Sequence, residues 1–80
     1  EVAAAYREVA QYEVKLAELI PVTHMEGIAA RRGAVCAAFK ARDPELGRKL
    51  AHQYREEAGP ARRHTWNQLL AECQREFEAR

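Results

Sequence analysis

Arg62 and Arg63 stand four and three residues before Trp66, the only tryptophan of the chain, in the stretch GPARRHTW (59–66). Those residue types at that spacing offer one chemistry, two guanidinium groups to grip phosphate beside an indole on which a base can stack. The competing reading is structural. Trp66 is in phase with Leu69, Leu70, Cys73 and Phe77 on one helical face, which makes it a core anchor with an arginine lying across its ring. The phasing favours the second reading, and Trp66 is expected to be buried.

Other chemistry-bearing residues are few. There is no serine, and Asp43, Asn67, Thr23 and Thr65 are the entire supply of their types. Asp43 and Thr23 stand where helix caps are needed, and a nucleophile requires an adjacent base held by a third group. No glycine-rich phosphate cradle is present. The chain is therefore expected not to be an enzyme and to use no cofactor. His24, His52 and His64 fall on three different predicted helices without strong ligand spacing, and His52 with Glu56 supplies two ligands where a metal site needs more. No metal is expected. Cys36 and Cys73 form no CxxC pattern and sit within apolar stripes, so they read as core fillers in a reduced, cytoplasmic setting.

The elements that must position these residues are helical throughout. Val2, Ala5, Val9, Tyr12, Leu16 and Leu19 recur at spacings of three and four, the seam of a helix that packs lengthwise on another. Pro21 ends that helix, and Thr23 with Glu26 reads as a capping box starting a second near His24. The second helix carries an apolar stripe (Met25, Ile28, Val35, Cys36, Phe39) and a stripe of very small residues (Ala30, Gly33, Ala34, Ala37, Ala38, Ala41). Small side chains let helix axes approach, which places this helix in the centre with a neighbour on each side. Arg32 falls within the larger stripe, with its stem along apolar surface and its head at the edge or offered to an anionic partner.

Asp43-Pro44 is a strong start signal for a third helix, with Leu46, Leu50 and Tyr54 on its inner face. At about 100° per residue, that face and the Trp66 face point in nearly opposite directions on one straight rod. Residues 44–79 are therefore expected to break at Gly59-Pro60. The fold class that follows is all-α, a small antiparallel bundle of three or four helices forming a single domain over residues 1–80. A start at Glu1 suggests a piece of a longer chain.

Of the 38 hydrophobic residues 16 are alanine, so bulky core-formers are scarce. A core this thin supports roughly 3–5 kcal/mol or less unless a partner adds to it. Net charge is +1, but residues 27–64 hold nine bases and four acids while both ends are acidic. No apolar run is long enough to span a membrane, and no membrane partner is expected. Two functions remain. The first is a non-catalytic protein–protein interaction or self-oligomerisation module using Val2, Val9, Tyr12, Leu16 and Leu19. The alternative is a nucleic-acid-binding helical domain in which Arg31, Arg32, Lys40, Arg42, Arg48, Lys49, Arg62 and Arg63 meet phosphates.

Overall fold

The computed structural model describes residues 2–79. Four helices and, among the described residues, no strand make up the fold: α1 (Val2–Leu19), α2 (Met25–Lys40), α3 (Pro44–Ala58) and α4 (Arg63–Glu78), with a 3-10 turn at Pro60–Arg62. This is the all-α bundle expected. Side-chain contacts give the directions. Lys40, at the end of α2, lies over Tyr6 near the start of α1, and Arg31 in the first half of α2 reaches Glu57 at the end of α3. Helix α2 is therefore antiparallel to both. Tyr54, late in α3, meets Trp66, early in α4, whereas Phe39 and Phe77 meet at the far ends of α2 and α4. Helix α4 thus returns along α3 and runs parallel to α2.

Helix α2 packs against all three others, and it is apolar nearly all round. Ala30, Ala34, Val35, Ala38 and Phe39 join Leu50, Ala51, Tyr54, Trp66, Leu69 and Cys73 in one core. Val35 is the largest side chain wholly out of solvent, so the core is as thin as its composition suggests.

Three signals between helices are read correctly by local chemistry. Asp43 caps α3, its Oδ1 accepting from the Leu46 N–H at 3.2 Å, and Pro44 occupies the first turn where no N–H is needed. The rod breaks at Gly59, whose φ of 90° is open to glycine and strained for other residues. Helix α4 then starts with Arg63 and His64 in its first turn and no side-chain cap. Cations at that end cost a few tenths of a kcal/mol each when exposed. Burying Trp66, Leu69 and Cys73 outweighs that, because each large apolar side chain contributes about 1.5–3 kcal/mol.

Two expectations need correction. Thr23 does not cap α2. The chain turns at residues 22–23, with the His24 N–H bonded to the Pro21 carbonyl at 3.1 Å, and His24 takes the cap position without a side-chain bond. Glu26 still lies in the first turn, where the helix dipole favours it. Met25, placed in the α2 apolar stripe, is also exposed.

The sequence leaves open which face of α1 points inward. The bulky seam does not meet α2. Ala10 and Ala17 are buried with Ala3 half-buried, a heptad of small residues roughly 130° around the helix from the seam. The small stripe of α2 accepts a small partner stripe, because close axes leave no room for leucine or tyrosine between them. The same closeness explains Gly27. A Cβ there would overlap the Pro21 carbonyl oxygen, so only glycine lets the α1–α2 connection lie on the first turn of α2.

Candidate functional site

With its alanine heptad turned inward, α1 leaves its bulky heptad outside. Val2 is 71% exposed, Tyr12 62%, Leu19 79% and Val9 45%. Leu16 is half-buried and packs against the core edge, so it belongs to both faces. Scattered exposed apolar side chains are normal on any protein; a continuous stripe at heptad spacing along about 27 Å of helix is not. The two flanks of the stripe differ. Tyr6, Glu13 and Ile20 on one side are half-buried, with Lys40 Nζ 5.5 Å from the Tyr6 ring and Glu13 lying against Gly33. On the other side Glu8 and Lys15 are exposed.

Arg31 holds this face in position. It is 4% exposed and its guanidinium is fully engaged. Nη1 donates to the Ile20 and Gly27 carbonyls and Nη2 to the Ala17 carbonyl, each at 2.9 Å, while Nε donates to Glu57 Oε1 at 2.6 Å. The Tyr54 ring lies 5.7 Å from its Cζ. Ala17 and Ile20 belong to the end of α1, where carbonyls lack helical partners and the dipole is negative, so a buried cation there answers both needs. One side chain of α2 thereby ties α1 to α3. Burial also pushes the Tyr54 phenol up from its ordinary pKa, against the opposing pull of Arg31.

This removes Arg31 from the phosphate-binding set, since its guanidinium is buried and its nitrogens already donate to three carbonyls and Glu57. Its neighbour Arg32, placed in the stripe by its sequence position, is exposed instead and borders a small cavity of about 80 Å³ with Ile28, Arg62 and Trp66. Lys40 and Arg42 flank a different cavity at the other end of α2. Arg48 and Lys49 are exposed and diverge by about 100° around α3, and Arg63 is exposed at the start of α4. The structure therefore brings together Arg32 with Arg62 and Lys40 with Arg42. Trp66 is buried against Tyr54, with ring centroids 5.8 Å apart, and offers no stacking platform. Among the described residues its ring carries no cation; Arg31, Lys40 and Arg42 lie over Tyr54, Tyr6 and Phe77 instead.

A pairing that the sequence spacing hid is that of the two cysteines. Cys36 Sγ and Cys73 Sγ lie 3.6 Å apart between α2 and α4, as free thiols. They line a cavity of about 190 Å³ with Phe39, Lys40, Arg42, Glu72, Glu76 and Phe77. Cys36 is half-buried and Cys73 buried. The hydrogen bond with Cys73 lowers the Cys36 pKa to about 7, with Lys40 and Arg32 acting the same way against burial and the Glu76 carboxylate. The same bond, with burial and the Glu76 and Glu72 carboxylates, pushes Cys73 up. Arg42 lines the same cavity. It ends α2 with φ 64°, in a turn where the Asp43 N–H bonds back to the Ala38 carbonyl at 3.0 Å, and its Cζ lies 4.2 Å from the Phe77 ring centroid. His24, His52 and His64 form no cluster; among the described residues no group of three or more possible ligands could hold a metal ion.

Set against protein-family models, curated proteins and solved structures, the chain matches none. No helix among the described residues is long and apolar enough to cross a membrane.

Proposed function

We propose that this chain is a non-catalytic helical interaction module that pairs with a second copy of itself through the outward face of α1. The observation that carries the reading is the continuous exposure of Val2, Val9, Tyr12 and Leu19 on a helix already folded against its own bundle. Such a face gains by burial at about 25 cal/mol per Å² of apolar surface, with no helix-folding cost left to meet.

The stripe is self-complementary in the antiparallel sense. Val2 of one copy meets Leu19 of the other, Ala5 meets Leu16, and Val9 meets Tyr12, each pair occurring twice about the two-fold axis. In that register Glu8 of one copy opposes Lys15 of the second along the free flank, again twice, so the charges match where coiled-coil partners are selected. A parallel pairing would set Glu8 of one copy against Glu13 of the second, two carboxylates, and Lys15 against Ile20. The charge pattern supports the antiparallel arrangement.

Sedimentation or light scattering from about 1 to 100 µM tests the reading. A short interface of this kind is expected to give a monomer–dimer equilibrium with a dissociation constant in the micromolar range, near −8 kcal/mol. Leu19→Asp, on a side chain that contributes little to its own core, is expected to give a monomer of unchanged helicity. A wild-type monomer throughout that range contradicts the proposal. So does submicromolar binding to a short DNA duplex at physiological salt with a slope near −5 in log K against log salt, which would favour the basic residues as phosphate contacts.

A further inference from the structure

The thiol pair between α2 and α4 is not used by the α1 interface. Two cysteines 37 residues apart in sequence meet at 3.6 Å in the wall of one open cavity, Cys36 half-buried and Cys73 buried. The cavity is the right size for a small oxidant, and its wall supplies the charges a thiolate needs. Lys40 of α2 and Arg42 of the turn beyond it line the cavity with Glu72 and Glu76 of α4, and Arg32 of α2 acts on Cys36 from outside it. Lys40 and Arg32 act on Cys36, Glu72 acts on Cys73 and Glu76 on both, and Cys36 is the more exposed thiol of the two. That asymmetry assigns different parts to two otherwise identical side chains.

We infer that Cys36 is a hydroperoxide-reactive modification site and Cys73 its resolving partner, so that oxidation joins α2 to α4 by an intramolecular disulfide. In the first step the Cys36 thiolate attacks the distal oxygen of a hydroperoxide ROOH. The O–O bond breaks, the alkoxide leaves and takes a proton from water, and Cys36 becomes a sulfenic acid. In the second step the Cys73 sulfur gives up its proton and attacks the Cys36 sulfur. The S–S bond forms, the S–O bond breaks, and hydroxide leaves and is protonated to water. The two thiols supply two electrons and the O–O bond receives them, giving one disulfide, one alcohol and one water. Closing the sulfurs from 3.6 Å to a bond of about 2.05 Å is within the reach of side-chain rotation. A lowered pKa at the reachable thiol and a raised one at its partner fit this order of events.

The test uses the whole reduced chain and stoichiometric hydrogen peroxide as the probe. Intact mass is expected to fall by about 2 Da as two hydrogens are lost, and a non-reduced peptide map should place Cys36 and Cys73 in one linked pair. The reaction should gain rate as pH rises through about 7 and level off above it, where an ordinary cysteine near 8.5 is still gaining. Cys73→Ser should stop at the sulfenic acid and take up dimedone at Cys36; Cys36→Ser should react at least about tenfold more slowly. Circular dichroism of each variant establishes that it is folded, and the wild-type peptide map stands without either. Disulfide-linked dimers, a first oxidation at Cys73, or a rate no greater than that of free cysteine at the same pH would overturn the inference.

Discussion

At Arg31, one guanidinium meets three carbonyls and a carboxylate, and these partners are not equal. Glu57 is 42% exposed, so water solvates it when the pair is broken, whereas Arg31 is buried and needs an acceptor at Nε whether or not that acceptor is charged. The Ala17 and Ile20 carbonyls close the end of α1 and depend on Arg31 Nη atoms. A buried acceptor left without a donor costs about 1–3 kcal/mol. Arg31→Lys keeps the charge and loses the planar fork. Chemical denaturation is therefore expected to rank the variants: Glu57→Gln, which keeps an acceptor for Nε, and Arg31→Lys each lower by about 1–3 kcal/mol, and Arg31→Ala, which leaves three carbonyls without their donor, lower by about 3 kcal/mol or more and largely unfolded. Equal losses for Glu57→Gln and Arg31→Ala would mean that the ion pair, not the carbonyls, holds α1. Arg31 and Arg32 are neighbours in sequence, yet about 100° of helix separates a sealed clamp from a free cation. Choosing between them requires knowing where the end of α1 lies, which no local pattern states.

At the scale of the helices, two glycines of α2 give opposite predictions from the same substitution. Gly→Ala inside a helix is worth about 1 kcal/mol of propensity when space allows. At Gly33 the added Cβ would meet only the Glu13 side chain, its Oε2 at 2.7 Å, and that carboxylate can swing into solvent. At Gly27 it would meet the backbone of Ile20 and Pro21, which cannot move without breaking the Arg31 bond to the Ile20 carbonyl. Thermal unfolding should show Gly33→Ala neutral or up to about 1 kcal/mol more stable, and Gly27→Ala destabilised by about 2–4 kcal/mol, more than the usual penalty of overpacking. The reverse order would refute the close approach of the α1–α2 connection to α2. Helix number, the Asp43-Pro44 start and the Gly59-Pro60 break were all legible in the sequence, because caps and breakers act on their own few residues. The inward face of α1 was not. Both of its heptads are regular, and neither states which one meets α2 until the small stripe of α2 is set against them. Thr23 failed as a cap for a related reason, since the close approach at Gly27 fixes where the connection turns.

For the whole molecule, the same thin core that limits stability leaves the bulky heptad of α1 without a partner inside the chain. The contacts between distant helices were the least legible feature. Cys36 and Cys73 sit on stripes whose relative rotation is set by the packing of α2 on α4, so their meeting could not be read from spacing. The heptad of Val2, Val9, Tyr12 and Leu19 was legible in the sequence, and the structure leaves these four exposed while Leu16 packs on the core edge. Self-pairing is the central claim, and the Glu8–Lys15 register tests it without touching the core, since both side chains are exposed. The measurement is sedimentation equilibrium of four chains at one ionic strength near 0.05 M, where screening over about 14 Å leaves close pairs effective. Glu8→Lys and Lys15→Glu each place like charges opposite one another twice in the dimer, and each is expected to weaken it about tenfold or more, or about 1.4 kcal/mol. The double exchange Glu8→Lys with Lys15→Glu restores opposite charges and is expected to return the dissociation constant to within about threefold of wild type. Single and double variants that all associate as tightly as wild type, or a double variant no stronger than the weaker single, would contradict the antiparallel pairing of α1.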